Sequence, residues 1–153
     1  MNLKNWLTLT IRTIDFNLVA QQPKLVEKLR ELTLAPYSGL NYEMNRMLQD
    51  AKERTVNCKI LLAYRFDKLI AWGILSKEDT DFNFINADSG FKGEEGQLFQ
   101  VFVDHNYRKQ GIATELFKVA KKLVGDDVLC VCPHDRKSTD FYTKHSITNM
   151  KYL

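Results

Sequence analysis

Leu98-Phe-Gln-Val-Phe-Val-Asp-His-Asn-Tyr-Arg-Lys-Gln-Gly-Ile-Ala-Thr-Glu-Leu-Phe117 is the stretch whose reading decides the fold. Its first six residues are mostly β-branched or aromatic, the composition of a buried strand. A turn carrying Gly111 follows. Beyond it Ile112, Leu116, Phe117, Ala120, Leu123 and Val124 recur at helical spacing, and Gly125 stops the run with Lys121 and Lys122 in the last turn. A tight strand-to-helix turn leaves several backbone N–H groups without intrahelical acceptors, at the positive end of the helix dipole. Such a turn is an anion site, best suited to phosphate or pyrophosphate.

The turn itself, Arg108-Lys109-Gln110-Gly111-Ile112-Ala113, resembles the Arg/Gln-x-x-Gly-x-Gly/Ala signature of the GNAT N-acetyltransferases. In that family the loop amides hold the pyrophosphate of acetyl-coenzyme A. The resemblance therefore implies cofactor contacts at Arg108, Lys109, Gln110, Gly111, Ile112, Ala113 and Thr114. Gly111 also fits the bare physical need, because a backbone that approaches a phosphate closely has no room for a side chain. Ala113 is the smallest alternative at the second tight position.

A second block, Asp127-Val-Leu-Cys-Val-Cys-Pro-His-Asp-Arg-Lys-Ser-Thr-Asp-Phe-Tyr-Thr-Lys-His-Ser-Ile147, extends the likeness downstream. Val128 to Cys132 reads as a short strand. Asp135 stands where the family usually has an Asn opening the next helix, and Asp is by itself a strong N-cap. Phe141-Tyr142-Thr143-Lys144 matches the helix end, while Ser146 and Ile147 replace the usual Gly-Phe pair. The resemblance adds Asp135 and Ser138 to the cofactor contacts. It also implies that main-chain groups of Val101, Phe102 and Val103 pair with the pantetheine arm and polarise the thioester carbonyl. The side chains of those three residues read as core.

Outward from these blocks the chain shows regular alternation of elements. Trp6 to Ile14 alternates apolar and polar residues, a half-buried strand. Lys24 to Leu34, opened by Pro23, and Tyr42 to Glu53 read as helices, separated by Pro36 and Gly39. Cys58 to Phe66 and Leu69 to Leu75 read as strands joined by Asp67-Lys68, a hairpin. With no repeat or low-complexity linker, residues 1–153 are expected to form one domain. The order of elements matches the α/β (α+β) GNAT arrangement: a central twisted, mixed, mostly antiparallel sheet flanked by helices on both faces. After the Ser-Ile pair only Thr148 to Leu153 remains, enough for one further strand where the family has two. The unpaired sheet edge this leaves makes a homodimer the expected assembly.

Bulk composition narrows the function classes. The chain has 153 residues, 44% of them hydrophobic, enough for an ordinary core. No apolar run reaches the length of a membrane span, and Met1 to Trp6 shows no signal-peptide core, so no membrane role and a cytoplasmic location are expected. Three cysteines, unevenly spaced, do not form a disulfide framework. The net charge of +3 carries no strong nucleic-acid signal. It is unevenly spread, however: Glu78, Asp79, Asp81, Asp88, Glu94 and Glu95 against Lys92 make 78–96 −5, leaving the remainder at +8. A basic body suits a polyphosphate cofactor, and the acidic segment either attracts a cationic amine or is a solvated loop.

Acetyl transfer from a thioester to an amine needs a polarised carbonyl, a deprotonated amine and a protonated thiolate. Direct attack requires no covalent enzyme intermediate. The resemblance makes Tyr142 the acid, since a phenol is protonated at neutral pH and well matched to an alkyl thiolate. Gln97 occupies the position that carries a glutamate base in histone-type members, eleven residues before Arg108, and an amide cannot take that role. Glu95 is the nearest candidate base, with Glu94, Glu78, Asp79 or a water chain as alternatives. Cys130, Cys132, His134 and His145 lack the paired spacing of zinc ligands, so no metal is expected. The expected function is acetyl-coenzyme A-dependent N-acetylation of an amine, on a small molecule or a macromolecule (protein, tRNA or modified base). A non-catalytic acyl-coenzyme A-binding module is the alternative.

Overall fold

In a computed structural model of the protein, residues 9–33, 38–79 and 91–131 are described, the helix residues 38–42 by backbone alone. Within them β1 (Leu9–Asp15) leads into a one-turn helix α1 (Phe16–Ala20), then α2 (Pro23–Thr33) and α3 (Ser38–Asp50). Strands β2 (Cys58–Arg65), β3 (Lys68–Ser76) and β4 (Gln97–Val103) precede α4 (Ile112–Val124) and β5 (Leu129–Val131). The strands form one sheet in sequence order, antiparallel from β1 to β4 and parallel between β4 and β5. This is the mixed, mostly antiparallel sheet that the chain's pattern leads one to expect.

Helices cover both faces. The even-numbered residues Ile60, Leu62, Trp72, Ile74, Leu98 and Phe102 pack with Phe16, Val19, Leu29, Met44 and Met47 from α1, α2 and α3. Leu61, Ala63, Phe99 and Val131 pack with Ile112, Leu116, Phe117 and Ala120 of α4 on the other face. Period-two alternation along each strand produces this division, and each buried side chain of this size contributes about 1.5–3 kcal/mol. β2 and β3 are apolar on both faces because both faces are covered.

Four details depart from the sequence reading. The helix expected from Tyr42 to Glu53 runs Ser38–Asp50 and takes Gly39, expected as a breaker, inside it. The helix α1 was hidden in the sequence, since five residues give too short a period to recognise. The hairpin turns at Phe66-Asp67 rather than Asp67-Lys68, with Phe66 at φ 56° and exposed. Leu123, expected on the buried stripe of α4, is 39% exposed. The remaining stripe is buried, and Gly125 at φ 61° closes the helix with its N–H on the Lys121 carbonyl. The expected helix from Asp135 through Lys144, Cys132, and the terminal strand lie outside the described residues.

Candidate active site

β4 and the turn that follows it build the site. The Asp104 N–H donates to the Ile70 carbonyl at 2.8 Å, one step beyond the Ala71↔Val103 pair. Hydrogen-bonded pairs alternate along an antiparallel ladder, so Leu98, Gln100 and Phe102 direct their main-chain groups at β3. The odd-numbered residues direct theirs to the opposite edge, as Gln97 does when its N–H donates to the Val128 carbonyl at 2.8 Å. The described pairing with β5 runs from Gln97↔Leu129 to Phe99↔Val131. Val101 and Val103 lie beyond it on that edge. Strand parity thus divides the three expected cofactor positions: Val101 and Val103 offer main chain to the edge, whereas Phe102 offers only its side chain.

The turn is strongly curled. Lys109 at φ 63° and Gly111 at φ 79° both adopt the left-handed conformation, two residues apart. The first bond closing onto α4 runs from the Glu115 N–H to the Gly111 carbonyl at 3.1 Å. The N–H groups of Ile112, Ala113 and Thr114 therefore have no acceptor within the helix. Left-handed turns that converge main-chain N–H groups at a helix N-terminus form an anion-binding concavity. Arg108 and Lys109 are exposed, and the Arg108 Nε donates to the Val103 carbonyl at 3.3 Å.

Arg65, at the end of β2, holds this turn from behind, and nothing in the sequence flags it. Its Nη1 donates to Gln110 Oε1 at 2.6 Å, and its guanidinium lies 5.4 Å from the centre of the Tyr107 ring. The Lys68 ammonium lies 5.2 Å from the same ring. A guanidinium over an aromatic face is attracted by the ring quadrupole. The Gln110 side chain is thereby engaged with the β2–β3 hairpin, which leaves its main-chain amide as the group expected on the cofactor.

The candidate bases are mostly committed to structure. Glu95 Oε2 accepts from the Lys92 N–H at 2.8 Å, closing the short turn Gly93–Glu95. Asp79 Oδ1 accepts from the Gly93 N–H at 2.7 Å, while its carbonyl accepts from Arg46 Nη2 at 3.1 Å. Glu78 accepts from both terminal nitrogens of Arg54 and from the Asn57 N–H at 2.9 Å. Burial pushes the Glu78 carboxyl up, but the Arg54 and Asn57 hydrogen bonds and the charges of Arg54 and Arg46 outweigh it. The carboxyl is held below its ordinary value, which weakens it as a base. Glu94 remains exposed. Gln97 turns its Nε2 to Asp127 Oδ2 at 3.3 Å, beside the Lys77–Asp127 pair at 2.9 Å. Tyr142, Asp135, Ser138, His134 and His145 lie outside the described residues. Cys58 and Cys130 are buried thiols, and burial pushes the Cys58 thiol far up. No cluster of metal-ligating side chains occurs among the described residues.

The Glu78 pair has a consequence for acid stability. A carboxyl held low in the folded state binds its proton more weakly there than in the unfolded chain. Its stabilisation is present above the ordinary glutamate range and is lost as pH falls through the folded value. Glu78→Gln is expected to lower Tm at pH 7 and to flatten the acid limb below about pH 4. Thermal melts of both proteins between about pH 3 and pH 7, the span over which carboxylates titrate, check this.

Sequence and structure comparisons agree with this geometry. The profile of the Acetyltransferase (GNAT) family matches residues 25–146. No curated protein matches the chain in sequence. Among solved structures, an integron cassette protein from the mobile metagenome of V. cholerae aligns at TM-score 0.54 and 17% identity over 92% of this chain and 86% of that one. A predicted acetyltransferase with acetyl-CoA from Clostridium acetobutylicum aligns at TM-score 0.52 and 13% identity, covering 92% and 90%. Glucosamine-6-phosphate N-acetyltransferase from Arabidopsis thaliana aligns at 0.51 and 15%, covering 92% of each. At these identities the structures speak for the fold. No helix among the described residues is long and apolar enough to cross a membrane. With a family match over most of its length, and a strand, left-handed turn and helix N-terminus where that family's signature lies, the chain belongs to the GNAT family of N-acetyltransferases.

Proposed function

We propose that the protein uses acetyl-coenzyme A to acetylate a primary amine by direct attack. The observation that carries this reading is one continuous track. The edge of β4 at Val101 and Val103 runs into the left-handed turn at Lys109 and Gly111. A pantetheine arm carries amide groups able to pair with a strand edge, and a pyrophosphate suits converging amides at a helix N-terminus. The turn is open in the way a phosphate requires, with φ 79° at the glycine and free N–H groups at Ile112, Ala113 and Thr114. In this reading Val101 and Val103 hold the arm and polarise the carbonyl, and Lys109 to Thr114 with Arg108 hold the phosphates. Asp135 and Ser138 join them by resemblance, and Tyr142 protonates the leaving thiolate.

Glu78, Asp79 and Glu95 are each held by hydrogen-bond donors of the scaffold and Glu94 is exposed to solvent, so in this reading the amine's proton leaves through water. The test is calorimetry with acetyl-coenzyme A followed by coenzyme A release against a panel of amines. Saturable binding with amine-dependent release is expected. Tight binding with no release against any amine would identify a non-catalytic module instead.

A further inference from the structure

Gln100 breaks a rule that its neighbours keep. The buried polar residues among the described ones are Thr33, Glu43, Ser76 and Gln100. Thr33 Oγ1 donates to the Leu29 carbonyl at 2.6 Å, Glu43 pairs with Arg46 at 2.7 Å, and Ser76 Oγ accepts from the Glu78 N–H at 3.0 Å. Gln100 is 3% exposed, yet neither its Oε1 nor its Nε2 has a hydrogen-bond partner among the described residues. The Trp72 Nε1, wholly buried, is also unpartnered. Both residues point from the sheet to the face covered by α1, α2 and α3. Trp72 sits opposite Phe102 with ring centres 5.1 Å apart, and Gln100 sits opposite Ile74. They are diagonal neighbours on adjacent strands. An unsatisfied buried carboxamide costs stability and calls for an explanation.

Its place supplies one. Gln100 adjoins Val101, whose main chain faces the edge assigned above to the thioester. The side chains of Phe99, Val101 and Val103 pack toward α4, whereas Leu98 and Phe102 pack toward α1, α2 and α3. Gln100 and Phe102 form the other flank. We infer that Gln100 is an acceptor-recognition residue. Its carboxamide, with the Trp72 indole N–H beside it, binds an amine that carries a hydroxyl or carbonyl oxygen next to the nucleophilic nitrogen. Oε1 accepts an N–H of the amine, while Nε2 and the indole donate to the adjoining oxygen. An uncharged amide also accepts from the neutral amine, the form that attacks, without favouring the ammonium as a carboxylate would.

This inference rests on the acetyl-transfer reading, and its test separates the two. Gln100→Leu and Gln100→Met in the full chain are compared with wild type in three measurements. These are the melting temperature without ligands, the affinity for acetyl-coenzyme A, and kcat/KM for 2-aminocyclohexanol against cyclohexylamine. Wild type is expected to prefer the amino alcohol about tenfold or more, the worth of one well-made hydrogen-bond set. The variants should lose that preference, keep cofactor affinity, and melt about 2–4 °C higher because an unsatisfied polar group is gone. A fall in Tm for both variants would assign the amide to the scaffold and overturn the inference. So would a preference that persists in the variants or is absent from wild type, or acetyl-coenzyme A binding with acetylation of neither amine. Failure of wild type to bind acetyl-coenzyme A would remove the acetyl-transfer reading itself, and this inference with it.

Discussion

Gly111→Val is expected to weaken acetyl-coenzyme A binding by an order of magnitude or more. Gly111 adopts φ 79°, and a β-branched residue there is strained whatever surrounds it. The chain relieves that strain by rotating the Gly111 peptide toward negative φ. That rotation swings the N–H groups at the start of α4 away from their common focus. The loss falls on binding rather than on folding, because the turn is exposed on its Lys109 side and α4 is anchored by Ile112, Leu116, Phe117 and Ala120. Isothermal calorimetry measures it directly, with circular dichroism to establish that the fold is retained. Wild-type affinity in a folded Gly111→Val protein would place the pyrophosphate elsewhere.

Tyr142→Phe is expected to lower turnover about a hundredfold with cofactor affinity near normal. The substitution removes a single proton donor and leaves the ring. If Tyr142 protonates the leaving thiolate, the loss appears in kcat and kcat/KM together, the signature of an interaction made only in the transition state. Single-turnover measurements keep product release from masking the chemical step. A variant that turns over at the wild-type rate under those conditions makes Tyr142 a packing residue.

The two variants test different origins of knowledge about this chain. Gly111 was legible from residues 98–117 alone, because its requirements are local. A β-rich run, one glycine and a 3.6-residue apolar repeat suffice to specify strand, turn and helix. Their predicted bounds agree with β4 and α4 to within a residue. The Cys58–Arg65 and Lys68–Ser76 strands were legible for the same reason, and so was the helix opened by Pro23. The role of Tyr142 came only from resemblance to a family, so its functional assignment needs experiment more than geometry.

Tertiary structure decided what depends on partners distant along the chain. Arg65 reaches Gln110 across 45 positions, and no local pattern marks an arginine at a strand end as an anchor for the turn before α4. The carboxylates Glu78, Asp79 and Glu95 read alike in sequence, as an acidic run. Only folding brings Arg54 to Glu78, the Gly93 amide to Asp79 and the Lys92 amide to Glu95, and so gives each carboxylate a different partner. The register of β4 against β3 likewise separates Val101 and Val103 from Phe102, since hydrogen-bond parity belongs to a pair of strands and not to one. Gln100 is the clearest case. In sequence it is one polar residue in an apolar strand, and only burial on a sheet face reveals an amide without a partner among the described residues. Periodicity and turn chemistry act over a few residues and are written in the chain, whereas burial, pairing parity and ion pairing come into being only when the sheet closes.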